Sequence, residues 1–147
     1  MPRLTPEEVE EFLAGPHVAV LSVSRQVKGP IAVPVWYDWD GTAFRVITFP
    51  DSVHGRLIQA IGRATITCHE ERYGEDDSLE RYVVAEGPTE FTEEQIEPVV
   101  MRIRDRYYRN ARRREWVERP LAGMTTSQRV AILTPERMSG FEWADAL

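Results

Sequence analysis

Ser52, His54 and Arg56 are the residues whose types and spacing point most directly to chemistry. They follow an apolar run that ends at Phe49, and apolar residues at helical spacing come directly after them: Leu57, Ile58 and Ile61. We therefore predict that Ser52 caps a short helix. A helix N-terminus offers unpaired N–H groups and a positive potential, which suit a phosphate or a carboxylate. The alternative is an ordinary capped helix that binds no anion.

A second candidate for anion binding is the arginine-rich stretch of residues 102–119. Four of its arginines recur at i, i+4, i+7 and i+11, so a helix would place them in one row: Arg102, Arg106, Arg109 and Arg113. Such a row suits a ligand with phosphate or carboxylate groups. The alternative is a solvated helix face whose arginines pair with nearby acidic side chains, namely Glu93, Glu94, Asp105 and Glu115.

Other reaction types lack their sequence signatures. The chain contains no Walker loop, no G-x-S-x-G motif and no pair of histidines at metal-ligand spacing. Cys68 is the single cysteine, which excludes an intrachain disulfide and a thiolate metal cluster built by one chain. We expect no metal site, and the sequence identifies no catalytic residue.

Length and composition set the outer bounds. The 147 residues are 42% hydrophobic, which predicts one packed domain spanning residues 1–147. A net charge of −6 argues against nonspecific binding to nucleic acid. The N-terminus shows no basic-then-apolar leader pattern, and no apolar run approaches the ~20 residues that cross a membrane. We therefore expect a cytoplasmic protein that binds neither nucleic acid nor membrane.

The elements that position these residues follow a predominantly β pattern. Apolar runs from Ile31 to Trp36 and from Phe44 to Phe49 flank a polar turn at Asp38-Trp39-Asp40-Gly41, which predicts a β-hairpin. Pro34 cannot donate a ladder hydrogen bond. Its strand is therefore an edge, contains a bulge, or lies against something other than a strand, such as a flat cofactor. The tryptophans of this stretch suit a core, an interface or stacking on a ring.

Two further helices are indicated by caps and apolar stripes. Thr5 and Glu8 form a capping box ahead of Val9, Phe12 and Leu13. Thr92 and Gln95 are predicted to cap a later helix whose stripe contains Ile96, Val99, Val100, Ile103 and Tyr107.

The remaining β-rich runs complete the pattern. A bend is expected at Gly87-Pro88, and residues 70–78 are expected to form an acidic loop in solvent. The runs are Val18 to Ser24, Arg63 to His69, Tyr82 to Phe91, Val130 to Leu133 and Ser139 to Trp143. Together the pattern gives six or seven strands and three helices, arranged as a mainly antiparallel barrel.

The order of these pieces resembles the flavin-binding split barrel of the pyridoxamine 5'-phosphate oxidase-like superfamily, and most closely its actinobacterial flavin and deazaflavin oxidoreductases. The resemblance extends over roughly residues 5 to 143. Val53 and His54 depart from it, because they replace an Arg-Lys pair that commonly grips the cofactor phosphate. The matching segments are Val33-Pro34-Val35-Trp36, Trp39-Asp40-Gly41, Ile47-Thr48, Ser52 to Arg56, and Arg81 to Gly87 with its terminal Glu-Gly.

This resemblance implies a mainly β fold, a split barrel of Greek-key type with six or seven antiparallel strands and about three flanking helices. It implies coenzyme F420, a deazaflavin, as the cofactor, with FMN as the alternative. The reaction would be hydride transfer to or from a small unsaturated organic substrate, with the cofactor performing the difficult step. The cofactor-binding residues that it implies are Ala32, Val33, Pro34, Val35, Trp36, Tyr37, Ile47, Thr48, Ser52, Val53, His54, Arg56 and Tyr82.

The resemblance also implies a homodimer with cofactor sites at the subunit interface, which late residues such as Trp116, Arg129 and Trp143 would reach. The arginine row would then meet the phosphate and oligoglutamate tail of the deazaflavin coenzyme. The departure at Val53 and His54 motivates a noncatalytic alternative, in which the barrel binds or sequesters a cofactor or has lost its ligand. A haem-binding protein is a third reading, since histidines are available as axial ligands.

Overall fold

The computed structural model describes residues 2–74, 78–108 and 127–145, which contain eight strands and three helices. The helices are α1 (Pro6–Leu13), α2 (Val53–Ile61) and α3 (Ile96–Tyr107). The strands are β1 (Val18–Val23), β2 (Ile31–Val35), β3 (Asp38–Trp39), β4 (Phe44–Thr48), β5 (Arg63–Tyr73), β6 (Ser78–Thr92), β7 (Arg129–Leu133) and β8 (Arg137–Asp145). The strand beyond the predicted six or seven is β3, two residues long, which the sequence pattern assigns to a turn.

The strands form one antiparallel sheet in the order β2-β1-β5-β6-β7-β4-β3, and β8 also pairs with β6. The two ends of this order, β2 and β3, are separated in the chain only by Trp36 and Tyr37. Three peptide units span at most ~11 Å, so these ends must lie close together. The sheet therefore closes into a barrel that is split between β2 and β4, and the predicted fold class is confirmed.

The hairpin predicted from Ile31 to Trp36 and Phe44 to Phe49 is wrong. β2 pairs with β1, where Pro34 lies opposite Val20. β4 pairs instead with β7 and with β3. The two apolar runs belong to different pairings because the chain turns away from β1 at Trp36 before it joins β4.

The polar turn joins β3 to β4, and Asp40 and Gly41 stabilise it. Gly41 has the positive φ of 93° that the Asp-Gly pair predicts. The Asp40 carboxylate accepts hydrogen bonds from the N–H groups of Thr42 and Ala43 at 2.8 Å. Burial by itself raises the pKa of Asp40, but these N–H groups and the Arg45 guanidinium outweigh it and hold that pKa well below its usual range.

Strand β6 changes partners at Gly87-Pro88, where the bend was predicted. Residues 78–88 pair with β5 and residues 78–86 with β8, whereas residues 89–92 pair with β7. A Cβ on Gly87 would overlap the carbonyl oxygen of Thr134, so only glycine lets the β7–β8 connection cross here. The predicted acidic loop is wrong for residues 70–73, because β5 continues to Tyr73 and pairs with Ser78. Residues 75–77 lie outside the described ranges.

The helix predictions are confirmed for their apolar faces. The capping box of α1 is present in both directions, and Val9, Phe12 and Leu13 are buried. The predicted stripe of α3 is buried at Ile96, Val99, Val100 and Ile103. The cap of α3 was assigned wrongly: Thr92 ends β6, and Gln95 stands at the N-cap without a side-chain hydrogen bond.

Two apolar clusters hold these elements together. The larger fills the barrel and includes Tyr37, Phe44 and Ile66. The smaller joins α3 to β4 and β7 through Val99, Val100, Ile103, Val130 and Ile47. Helix α3 thus packs outside the barrel, beside the split. Within the described ranges, no helix has the length and apolar character needed to cross a membrane.

Candidate functional site

A cavity of about 570 Å³ opens between β2 and β4. One wall is β2 with Trp36, a second is the end of β4 with the start of α2, and a third is α3 with Gln128 ahead of β7. Its volume lies in the range of ~300–1,000 Å³ typical of small-molecule sites. The described residues that line it include no acidic side chain: Val33, Pro34, Val35, Trp36, Ile47, Thr48, Phe49, His54, Val100, Ile103, Arg104, Tyr108 and Gln128.

The β2 wall combines an edge strand with a fixed tryptophan. β2 ends the strand order, so Pro34 lies on an edge strand, which is one of the alternatives that the sequence left open for it. The Trp36 ring stacks on Tyr107 at 4.7 Å and meets Tyr108 edge-on at 5.1 Å. The Tyr107 hydroxyl donates a hydrogen bond of 2.6 Å to the carbonyl of His17. This wall is therefore anchored to α3 and to the start of β1.

The start of α2 has the cap predicted for it. Ser52 Oγ accepts a hydrogen bond from the Gly55 N–H at 3.0 Å and donates one to the Phe49 carbonyl at 2.6 Å. A Cβ on Gly55 would overlap that same carbonyl oxygen, so the helix can start this close to β4 only with glycine there. The first turn of α2 is consequently held against the end of β4, beside the cavity.

His54 links this helix to β4 through its ring nitrogen Nε2. That atom lies 2.6 Å from Thr48 Oγ1 and 3.2 Å from Ser52 Oγ. Since the Ser52 hydroxyl donates its proton to Phe49, Ser52 Oγ can only accept from His54, which favours the Nε2–H tautomer. Burial lowers the pKa of His54 from its ordinary value, which favours the neutral ring.

Seven of the predicted cofactor-binding residues line the cavity together. They come from three separate stretches of chain, which the fold brings to one place. The seven are Val33, Pro34, Val35, Trp36, Ile47, Thr48 and His54.

The other six are not among the residues that line the cavity. Tyr37 is fully buried in the barrel core and donates its hydroxyl to the carbonyls of α1's last turn and of Gly15. Tyr82 packs against Phe141 of β8, at 5.2 Å between ring centroids. Ala32, Val53 and Arg56 are exposed, and Ser52 is committed to the cap.

Six lining residues were not among the predicted set: Phe49, Val100, Ile103, Arg104, Tyr108 and Gln128. Arg104 carried a usable signal, because it stands four residues after Val100 on the apolar stripe of α3. Gln128 carried none, since only the tertiary fold brings the residue before β7 to this gap.

The predicted arginine row is wrong for Arg106. Its side chain is buried, and its Nη2 lies 3.4 Å from Asp38 Oδ1. The guanidinium also donates to three backbone carbonyls, those of Leu13, Gly15 and Trp39. Arg106 therefore neither binds a ligand nor faces solvent; it joins α3 to the end of α1 and to β3.

Arg102 pairs with the same carboxylate, since its Nε donates to Asp38 Oδ2 at 2.8 Å. Glu94, expected as a partner of the row, instead accepts from Arg45 at 3.0 Å. Arg109 and Arg113 lie outside the described residues, as does Trp116 of the expected interface set.

The comparisons with known proteins identify the fold. No family model matches the chain, and no curated protein matches its sequence. Solved structures do match. A FAD-binding protein from Mesorhizobium loti is 18% identical with a TM-score of 0.68, and the match covers 97% of each chain. An F420 reductase is 17% identical with a TM-score of 0.60, over 88% of this chain and 94% of that one.

A protein proposed to be a pyridoxamine 5'-phosphate oxidase, from Corynebacterium glutamicum, is 15% identical with a TM-score of 0.58, over 99% of this chain and 93% of that one. This chain therefore has the split-barrel fold that these flavin- and F420-type proteins share. Identities this low establish the fold alone, and the actinobacterial subgroup stays a prediction.

Proposed function

We propose that this chain is an oxidoreductase that transfers a hydride between coenzyme F420 or FMN and a small unsaturated organic substrate. The proposal rests mainly on the cavity between the edge strand β2 and helices α2 and α3. Most of its lining is apolar or aromatic, with a few polar groups. The similar structures include a FAD-binding protein and an F420 reductase, which supports a cofactor of the flavin or deazaflavin type.

The β2 edge suits the polar rim of a flavin or deazaflavin ring. In an antiparallel strand, the backbone N–H and C=O groups of alternate residues point to opposite sides. Pro34 has no N–H, so it fits best where its nitrogen points away from β1. The carbonyl of Pro34 and both backbone groups of Ala32 then face the split, where a ring can hydrogen-bond to them. A flat ring can pack against Trp36 and Ile47, which line the same space.

The start of α2 is the proposed place for the cofactor phosphate. The N–H groups of Gly55 and Arg56 donate to Ser52 at the helix cap. The N–H groups of Val53 and His54 have no acceptor among the described residues and can bind a phosphate. The neutral His54 ring and exposed Val53 do not supply the charge of the usual Arg-Lys pair. Arg104, a buried cation in the cavity wall, provides positive charge from α3 instead.

A bound flavin or deazaflavin supplies the hydride chemistry, and the chain's own residues position and shield it. Trp36, Val100 and Ile103 keep water away from the ring face. Thr48 accepts from His54 Nε2–H, which leaves its own hydroxyl proton for a ligand acceptor. No residue of the chain is assigned a catalytic role.

The two cofactors present similar rings to the cavity and differ in the part of the molecule beyond the phosphate. Coenzyme F420 continues into an oligoglutamate tail, for which the arginine row was predicted. Because Arg106 is buried against Asp38, that argument loses one of its arginines. The preference for F420 over FMN now rests on the family resemblance.

Titration of the purified protein with F420, FMN and FAD, followed by absorbance and fluorescence, tests the proposal. Val33→Trp fills the cavity and should abolish binding, whereas Val27→Trp, at a site 95% exposed outside the cavity, should not. Binding followed by reduction of small enones supports the oxidoreductase. Binding without turnover for any substrate supports a noncatalytic protein that binds or sequesters the cofactor. Absence of binding for every cofactor rejects the oxidoreductase and supports the alternative in which the barrel has lost its ligand.

A further inference from the structure

The cavity supplies little positive charge for a bound phosphate. Among the described residues that line it, β2 and β4 contribute no ionisable side chain, α2 contributes His54, and α3 with its C-cap contributes Arg104 and Tyr108. Burial lowers the pKa of His54, which favours its neutral ring. A tyrosine side chain can add only negative charge. The described lining therefore provides at most one positive charge, that of Arg104, whatever else this side chain contacts.

The start of α2 offers neutral hydrogen-bond donors instead. The N–H groups of Val53 and His54 have no acceptor among the described residues. Thr48 accepts from the His54 ring, so its own hydroxyl proton is available to a ligand. Outside the lining, the exposed Asp51 and Arg56 bring one charge of each sign, which offset each other. This end of the cavity thus suits an anion that needs hydrogen bonds more than cations.

Charge distinguishes the two kinds of phosphate that a cofactor can carry. A phosphomonoester loses its second proton with a pKa of about 6, so it carries nearly two negative charges at pH 8. A phosphodiester has no second proton to lose and carries one. Moving an anion out of water costs free energy that hydrogen bonds and opposite charges must compensate. Several neutral donors with at most one cation compensate one negative charge better than two.

We propose that the phosphate subsite at the start of α2 selects a phosphodiester monoanion over a phosphomonoester dianion. The inference rests on the proposed function, which places the cofactor phosphate there. Val53 and His54, which stand where an Arg-Lys pair is usual, remove the cations that a dianion requires. The phosphate of coenzyme F420 is a diester, because the molecule continues beyond it, whereas FMN ends in a monoester. The selection therefore favours F420.

FMN and its phosphate methyl ester are matched probes, because they share the ring and ribityl chain and differ by one ionisable oxygen. Riboflavin, which has no phosphate, reports binding of the ring and ribityl chain. The dissociation constants are to be measured by flavin fluorescence at low salt, where screening is weak. At pH 8 the methyl ester should bind about tenfold more tightly than FMN. At pH 5, where FMN has regained its second proton, the two should agree within about twofold.

Val53→Arg returns a cation to the subsite. Val53 is exposed in the first turn of α2, so the change leaves the Ser52 cap in place. The variant should improve FMN relative to the methyl ester by about threefold or more at pH 8, because the added charge attracts a dianion more strongly. Val27→Arg is the matched control: Val27 is 95% exposed and does not line the cavity, so the ratio should not change.

Three results overturn the inference. FMN binding as tightly as its methyl ester at pH 8 shows that a dianion is accepted. A preference for the methyl ester that persists at pH 5 shows that shape causes it. A ratio that Val53→Arg leaves unchanged shows that the phosphate lies elsewhere.

Riboflavin separates this inference from the proposed function. If riboflavin binds as tightly as both phosphates, the inference fails, while the oxidoreductase proposal still depends on turnover. Charge-selective binding without reduction of any substrate leaves the inference standing while the oxidoreductase proposal fails. Absence of binding for all three probes, together with F420, overturns both.

Discussion

Replacing Arg106 with methionine should remove about 3 kcal/mol from the free energy of unfolding. Arg106 and Asp38 are both at least nine-tenths buried, and breaking a buried ion pair by removing one partner typically costs ~3–5 kcal/mol. The lower end applies because Arg102 still contacts the Asp38 carboxylate. Three carbonyl oxygens also lose a donor, in Leu13, Gly15 and Trp39.

The assay is urea denaturation followed by circular dichroism, with a thermal melt as a second measure. A loss of ~3 kcal/mol corresponds to a fall in Tm of roughly 10 °C for a domain of this size. Arg102→Met is the matched control, since the Arg102 side chain is 49% exposed and its pair with Asp38 should contribute ~1 kcal/mol or less.

The double variant Asp38→Asn with Arg106→Met removes both buried charges and should regain part of the lost stability. The reasoning is refuted if Arg106→Met costs no more than Arg102→Met. It is also refuted if neutralising Asp38 gives no recovery, because the cost would then not come from an uncompensated charge.

Four further outcomes are expected. If Arg56 contacts the cofactor phosphate, Arg56→Ala should weaken FMN binding by roughly 1–3 kcal/mol; an unchanged dissociation constant removes Arg56 from the site. His54 has a lowered pKa, so charging it opposes the native state: stability should fall as pH drops below ~6.5, and His54→Asn should flatten that slope in urea melts. Gly55→Ala should destabilise the protein by more than ~2 kcal/mol because its Cβ would overlap the Phe49 carbonyl, whereas Gly29→Ala, with open space around it, should be nearly neutral. Light scattering at micromolar concentration should give a homodimer, as the exposed aromatic and aliphatic side chains suggest, and a monomer would contradict this.

Local signals in the sequence were enough for most individual elements. The Thr5 and Glu8 capping box and the Ser52 cap depend on hydrogen bonds between residues three positions apart. The stripe of α3 follows from helical periodicity, which is also a local property. Pro34 marked an edge strand because an imide nitrogen cannot donate to a neighbour, whatever the neighbour is.

Strand partners could not be read in the same way. The runs flanking Asp40 and Gly41 have the composition of a hairpin, and a tight turn does join β3 to β4. Yet β2 pairs with β1, because the chain bends at Trp36 and Tyr37 to pass from one side of the split to the other. Composition is similar on both sides of that bend. Only the closed sheet therefore shows that β2 pairs with β1 and not with β4.

The residues of the cavity also fall into two groups, those that the sequence predicts and those that only the fold brings there. Residues on β2, β4 and α2 were predictable because they lie in consecutive stretches of chain that carry recognisable motifs. Arg104 and Gln128 became part of the site only when α3 packed beside the split and β7 joined β4. The side chain of Arg106 turned inward because Asp38 and three carbonyls, all distant in sequence, surround it. The sequence by itself therefore determined the elements and their caps, since those depend on neighbours along the chain. Tertiary structure decided which charges are buried and which side chains meet in the cavity, since those depend on contacts between residues far apart in the chain.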